Sequence, residues 1–200
     1  DWDQFRAGFA ITSVNIGYQG LGATRGAEDS TRSDACHTDV ACREADPWCE
    51  QVRGTVCYTI DGTGVCSGSI LNNTAQDGRP LLYTAYHCRA QNNPAGLRVY
   101  FNFQNATCRR PGSVESAGPG TCDDIDLGGM PCDTQTIGGA TVVAMQRDAD
   151  AVLLELDSTP PDTFGVVYLG WNASGTLPEA APGRPSAVGI HHPGLEEKRI

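Results

Sequence analysis

The sequence predicts an all-β domain, a barrel or a sandwich. Short runs rich in Val, Ile, Leu, Tyr and Phe alternate with clusters of Gly, Asn, Asp and Pro. The chain carries 24 glycines and 12 prolines, so it can turn often. No segment shows a long helical period, and the regular spacing of the runs suits closed or paired sheets.

The elements follow in order. Residues 1–33 form a lead-in with one strand-like run, Phe9–Gly17, before a stretch rich in glycine and charge. This lead-in reads either as the remnant of a pro-segment or as an extra strand of the domain. Strand-like runs then come at Val52–Ile60, Val65–Leu71, Leu81–Tyr86, Leu97–Gln104, Ala140–Gln146, Ala151–Leu156 and Val166–Trp171. Between the fourth and fifth, Arg109–Ile137 is rich in Gly, Pro and Asp and reads as a long surface loop.

Composition narrows the function classes. A chain of 200 residues with 40% apolar residues can bury a core of its own. No apolar stretch approaches the roughly 20 residues that cross a bilayer, so no membrane partner is expected. The net charge of −10 argues against nucleic acid, whose phosphates attract a surplus of Lys and Arg. Nine cysteines point to an oxidising, extracellular setting and a secreted protein. The sequons at Asn72, Asn105 and Asn172 matter only in a eukaryotic secretory pathway and carry little weight.

Two motifs carry chemistry. The first is Cys66-Ser67-Gly68-Ser69-Ile70-Leu71 followed by Leu82-Tyr83-Thr84-Ala85-Tyr86-His87-Cys88. Here a strand delivers an imidazole to a cleft, and a cysteine next to it offers a covalent anchor. The second is Asp150-Ala151-Val152-Leu153-Leu154-Glu155-Leu156, an aspartate at the mouth of an apolar strand. A carboxylate so placed can accept the imidazole N–H, fix its tautomer and stabilise the imidazolium. Asp148 competes for that role, but the Leu-Leu register favours Asp150. A lone histidine is more often a buried core residue. The surrounding Thr-Ala-x-His-Cys context shifts the balance to catalysis.

Both motifs resemble those of the chymotrypsin-like serine proteases. The resemblance sharpens at Cys36-His37-Thr38-Asp39-Val40-Ala41-Cys42, Leu71-Asn72-Asn73-Thr74-Ala75 and Phe103-Gln104-Asn105-Ala106-Thr107-Cys108. It continues through Leu169-Gly170-Trp171, Ile190-His191-His192-Pro193 and Glu197-Lys198-Arg199-Ile200. These segments are similar to the bacterial lysyl endopeptidases. The resemblance implies a chymotrypsin-like double β-barrel, with residues 34–160 as the N-terminal barrel carrying His87 and Asp150. Residues 161–200 would then be the linker and first strands of an incomplete C-terminal barrel. It implies a serine endopeptidase acting on protein or peptide substrates, with cleavage after lysine, and no cofactor.

The nucleophile is the missing member. No Gly-Asp-Ser-Gly or Gly-Ser-Ser-Gly segment occurs between Asp1 and Ile200. Asn172-Ala173-Ser174-Gly175 lacks the opening glycine and lies too early, so Ser174 is rejected. The serine is expected in a C-terminal part beyond residue 200, and these 200 residues alone are expected to be inactive. The resemblance also implies disulfides Cys66–Cys88 and Cys42–Cys108. Pairings of Cys49 with Cys57 and Cys122 with Cys132 rest on local proximity alone. Cys36 is left unpaired, and in the resembling enzymes its counterpart bonds to a cysteine further on.

Other readings are weaker. His191-His192 lacks a surrounding shell of zinc ligands, so a structural strand end is preferred to a metal site. Asp123-Asp124-Ile125-Asp126 reads as a solvated acidic loop rather than a calcium site. Two alternatives to an enzyme stand beside it. One is a protease-like binding protein without catalysis, and the other is a secreted metal-binding or disulfide-rich adhesion module.

Overall fold

The structure is a computed structural model, and it describes residues 37–117, 135–172, 187–193 and 197–200. The Phe9–Gly17 run, Cys36, Cys122, Cys132, the Asp123–Asp126 cluster and Ser174 lie outside these residues. Among the described residues the fold is almost entirely sheet. Seven antiparallel strands run β1 (Thr55–Ile60), β2 (Thr63–Leu71), β3 (Leu81–Thr84), β4 (Leu97–Tyr100), β5 (Thr136–Gly138), β6 (Ala140–Gln146) and β7 (Ala151–Leu156). Their order in space is β5-β4-β1-β2-β3-β7-β6. The two ends of that order, β5 and β6, are neighbours in the chain with only Gly139 between them. The sheet therefore curls back on itself, consistent with one barrel of the expected all-β chymotrypsin-like double barrel.

Gly139 makes that bend with φ at +78°. Its N–H donates to the Leu97 carbonyl at 2.8 Å, and its own carbonyl accepts the Asp157 N–H at 3.1 Å. A Cβ at this position would collide with the Asp157 carboxylate. Inside the barrel pack Val56, Tyr58, Ile70, Leu82, Val99, Phe101, Val152 and Leu154, all nearly or fully buried. Residues of β7 alternate between half-buried and buried, as a strand with one face on a core should. Tyr58, Thr84 and Ser67 form a buried polar thread across β1, β3 and β2. The Tyr58 hydroxyl bonds Thr84 Oγ1 at 2.8 Å, and Thr84 Oγ1 donates to the Ser67 carbonyl at 2.9 Å.

Several runs differ from expectation. Val52–Gly54 belongs to a helical turn, α1 (Cys49–Gly54), not to the first strand. The Thr55 hydroxyl donates to the Gln51 carbonyl and closes that turn before β1 starts. The Leu97 run stops at Tyr100, because Asn102 takes a left-handed conformation, φ 54°, which breaks the ladder. The Leu81 run stops at Thr84, and the chain tightens into a 3-10 turn at Tyr86–Cys88. Val166–Trp171 is no strand. It makes a single parallel bridge, Leu169 to Leu71, with Leu169 N–H donating to the Ile70 carbonyl at 2.8 Å. Within the expected loop at Arg109–Ile137, the described parts include a short helical turn, α2 (Val114–Ala117), and the start of β5.

A second core lies outside the barrel, where Val40, Ala45, Val52 and Ile190 pack together. Beside it, residues 37–39 run antiparallel to 197–200, with an Asp39–Arg199 bridge. Asp39 is fully buried and accepts from Arg109 Nη2 at 2.8 Å, Arg109 Nε at 2.9 Å and the Arg109 amide at 2.8 Å. Arg199 Nη1 meets the same carboxylate at 2.8 Å, and Glu197 reaches Arg109 at 3.4 Å. Burial works to raise the Asp39 pKa. The Arg109 hydrogen bonds and the two guanidinium charges outweigh it and hold the carboxyl below its ordinary range.

Replacing Gly139 by valine puts a β-branched residue at positive φ against Asp157. We expect Gly139→Val to lower stability by about 2 kcal/mol. Urea unfolding of the parent protein and variant measures this directly. An unchanged midpoint would mean that the barrel closes without needing this conformation.

Candidate active site

The site is built where β3 ends and β7 begins. Those two strands pair with Thr84 opposite Val152 and Leu82 opposite Leu154. Beyond Thr84 the chain enters the Tyr86–Cys88 turn, which carries His87. Immediately before β7 stands Asp150, in a left-handed conformation with φ 49°. Aspartate tolerates this region better than most residues. Its N–H donates to the Arg147 carbonyl at 3.0 Å, which fixes the turn.

Both carboxylate oxygens of Asp150 are used on His87. Oδ2 lies 2.6 Å from the ring Nδ1, and Oδ1 accepts the His87 backbone N–H at 2.8 Å. The Asp150 carbonyl takes the Tyr86 N–H at 3.1 Å, so backbone and side chain bind the same turn. Desolvation acts to raise the Asp150 pKa. The amide and ring hydrogen bonds from His87, with its charge, prevail and keep the carboxyl below the usual carboxylate range. An ionised carboxylate on Nδ1 places the ring proton there, which leaves Nε2 as the basic nitrogen. The His87 side chain is 57% exposed, so the imidazole borders solvent. Asp148 is exposed and makes no contact with His87 among the described hydrogen bonds and ion pairs.

The cysteine beside the histidine is anchored. Cys88 forms a disulfide to Cys66 on β2, and Cys42 forms one to Cys108. Ligand atoms of Cys66, His87 and Cys88 lie within 4.8 Å of one another. The two sulfurs are bonded to each other, so they are not thiolates and the cluster is unsuited to a metal. Cys49 and Cys57 do not pair with each other. Cys49 is an exposed free thiol at the start of α1, and Cys57 is a fully buried one on β1. The helical turn and the strand point them into different environments, which proximity in sequence does not reveal. Burial pushes the Cys57 thiol well above its ordinary pKa.

The two neighbouring histidines have structural surroundings. His191 exchanges backbone hydrogen bonds with Arg199 and meets the His37 ring edge-on at 5.3 Å between centroids. His192 stacks on Phe103, and its amide donates to Ser67 Oγ at 2.8 Å. Sequence reasoning passed over Lys198, which is fully buried and donates from Nζ to the Val52 carbonyl at 2.7 Å. Burial lowers its pKa to about 7. The run Glu197-Lys198-Arg199 reads locally as a surface patch, and no local signal marks it as buried.

The Lysyl endopeptidase, C-terminal domain family matches residues 30–200. The chain belongs to this family. It is also 28% identical over 198 residues to the lysyl endopeptidase of Pseudomonas aeruginosa, covering 96% of this chain. The chain spans 37% of that relative's length. In this family member the barrel, the Cys66–Cys88 bridge and the His87–Asp150 pair stand together. Among the described residues, no helix is long and apolar enough to cross a membrane.

Two outcomes follow from the site's surroundings. Brief alkylation of the native protein with iodoacetamide, followed by peptide mapping, should label Cys49 and spare Cys57 until the protein is unfolded. Equal native labelling of both would contradict the burial of β1. The second outcome concerns His191, whose pKa burial and the neighbouring His37 lower from 6.5 to about 4. A folded pKa below the unfolded one means that protonation favours unfolding. The stability from neutral His191 is complete above about 6.5 and lost as pH falls towards about 4, a loss of roughly 3 kcal/mol. Urea midpoints between pH 7.5 and 4.5 should fall less steeply for His191→Gln than for the parent. Parallel slopes would refute this.

Proposed function

We propose that this chain supplies the general base and the orienting carboxylate of a secreted serine endopeptidase that cleaves after lysine. The observation that carries the reading is the 2.6 Å contact between His87 Nδ1 and Asp150 Oδ2, with both carboxylate oxygens committed to His87. Membership of the lysyl endopeptidase family supports it. The nucleophilic serine and the oxyanion-binding amides are assigned to sequence after Ile200, with residues 161–200 opening the second barrel. The two disulfides support an extracellular location.

The chemistry follows from the geometry. Asp150 accepts the Nδ1–H and holds the ring, so Nε2 presents its lone pair. The serine hydroxyl gives its proton to Nε2 as Oγ attacks the peptide carbonyl. The imidazolium then protonates the leaving amine, and a water repeats the cycle to release the acid. Asp150 stays ionised throughout and stabilises the imidazolium.

The test uses the full-length protein and a lysyl peptide substrate. Asp150→Asn should reduce kcat by about 10⁴-fold, because the amide no longer enforces the Nδ1–H tautomer. His87→Ala should abolish turnover above that of the oxyanion site alone, and the 200-residue piece should show none. Full activity in His87→Ala would reject the reading and favour a binding protein that keeps a protease scaffold.

A further inference from the structure

The backbone around the pair forms one continuous relay. The Arg147 carbonyl accepts the Asp150 N–H at 3.0 Å, and the Asp150 carbonyl accepts the Tyr86 N–H at 3.1 Å. The Tyr86 carbonyl in turn accepts the Arg89 N–H at 3.0 Å. His87 and Asp150 sit within this relay, and an arginine stands at each end. Arg89 has φ 64°, which ends the Tyr86–Cys88 turn, and both arginines are exposed. Among the described residues no ion pair or side-chain hydrogen bond engages either guanidinium. Arg79 is committed to Glu155 and Arg109 to Asp39, whereas Arg43, Arg98 and Arg110 are exposed but lie outside this relay.

The setting makes the two cations stand out. The chain has 14 Lys and Arg against 24 Asp and Glu. At physiological salt a charge is felt over only about 8 Å, so the nearest groups outweigh the acidic remainder of the surface. Arg89 follows His87 by two residues and Arg147 precedes Asp150 by three. An extended peptide advances about 3.3 Å per residue, so the substrate residues to compare with these positions are those two or three from the cut bond. A guanidinium binds a carboxylate through paired N–H donors. Asp148, exposed in the same turn as Arg147, opposes such a carboxylate, while the Asp150 carboxylate is committed to His87.

We infer that Arg89 and Arg147 give the protease a secondary specificity, selecting substrates with Asp or Glu a few residues from the scissile bond. This rests on the proteolytic reading above. Exposed charge pairs of this kind are worth a factor of about two to five in rate each. Asp148 reduces that preference.

The experiment takes the full-length enzyme and peptides built around one bond that it cuts in a denatured protein. Each of the three positions on either side is set to Glu or Gln, and paired peptides compete in one tube. The ratio of kcat/KM, Glu over Gln, should be about two to five at one or more positions. It should fall towards one in 1 M salt, fall with Arg89→Gln or Arg147→Gln, invert with Arg147→Glu and rise with Asp148→Asn. Cleavage with a flat ratio at every position, or a preference that neither arginine substitution changes, would overturn this inference alone. Failure to cut any bond, with the enzyme folded, would overturn the proteolytic reading as well.

Discussion

The register between β3 and β7 is the constraint on which the site depends. Thr84 faces Val152 and Leu82 faces Leu154, and Leu82, Val152 and Leu154 belong to the buried core of the barrel. Because side chains alternate, a slip of one residue would turn Leu82, Val152 and Leu154 outward. Burying one such side chain stabilises by about 1.5–3 kcal/mol, whereas an exposed ion pair contributes about 0–1 kcal/mol. The core therefore sets the register, and the register sets the meeting of His87 with Asp150. The pair does not hold the fold together; it is held by it.

Two further links keep the histidine from drifting. The Cys66–Cys88 disulfide ties the residue after His87 to β2, and the Tyr58–Thr84–Ser67 thread ties the end of β3 to both its neighbours. One is covalent and the other is buried and polar, and they grip the chain on either side of the imidazole. Arg89 and Arg147 stand at the rim of the same frame.

What could be read from the chain divides by range. The short apolar runs gave most of the strands, because alternation and turn residues are local signals. The family was legible from motifs, and His87 and Asp150 stood out by their immediate neighbours. Strand ends were less legible. The Leu97 run looks extended to Gln104, but Asn102 breaks it through a backbone conformation that composition does not encode. Val166–Trp171 has strand-like residues yet finds a single bridging partner. Cys49 and Cys57 are close in sequence, but a helical turn and a strand separate their surroundings. The burial of Glu197, Lys198 and Arg199 was invisible because their partners, Asp39, Arg109 and Val52, lie far back in the chain.

That last arrangement bears on how the protein is made. Arg199 donates to the His37 carbonyl across 162 residues and shares Asp39 with Arg109. Ribosomes add about 5–20 residues each second, so Asp39 waits on the order of 10–30 s for its second guanidinium. During that interval Arg109 is the guanidinium partner of Asp39 that has already been made. The barrel strands are complete by Leu156 and can pair first. The seam between residues 37–39 and 197–200 therefore cannot close until well after the barrel strands have been made.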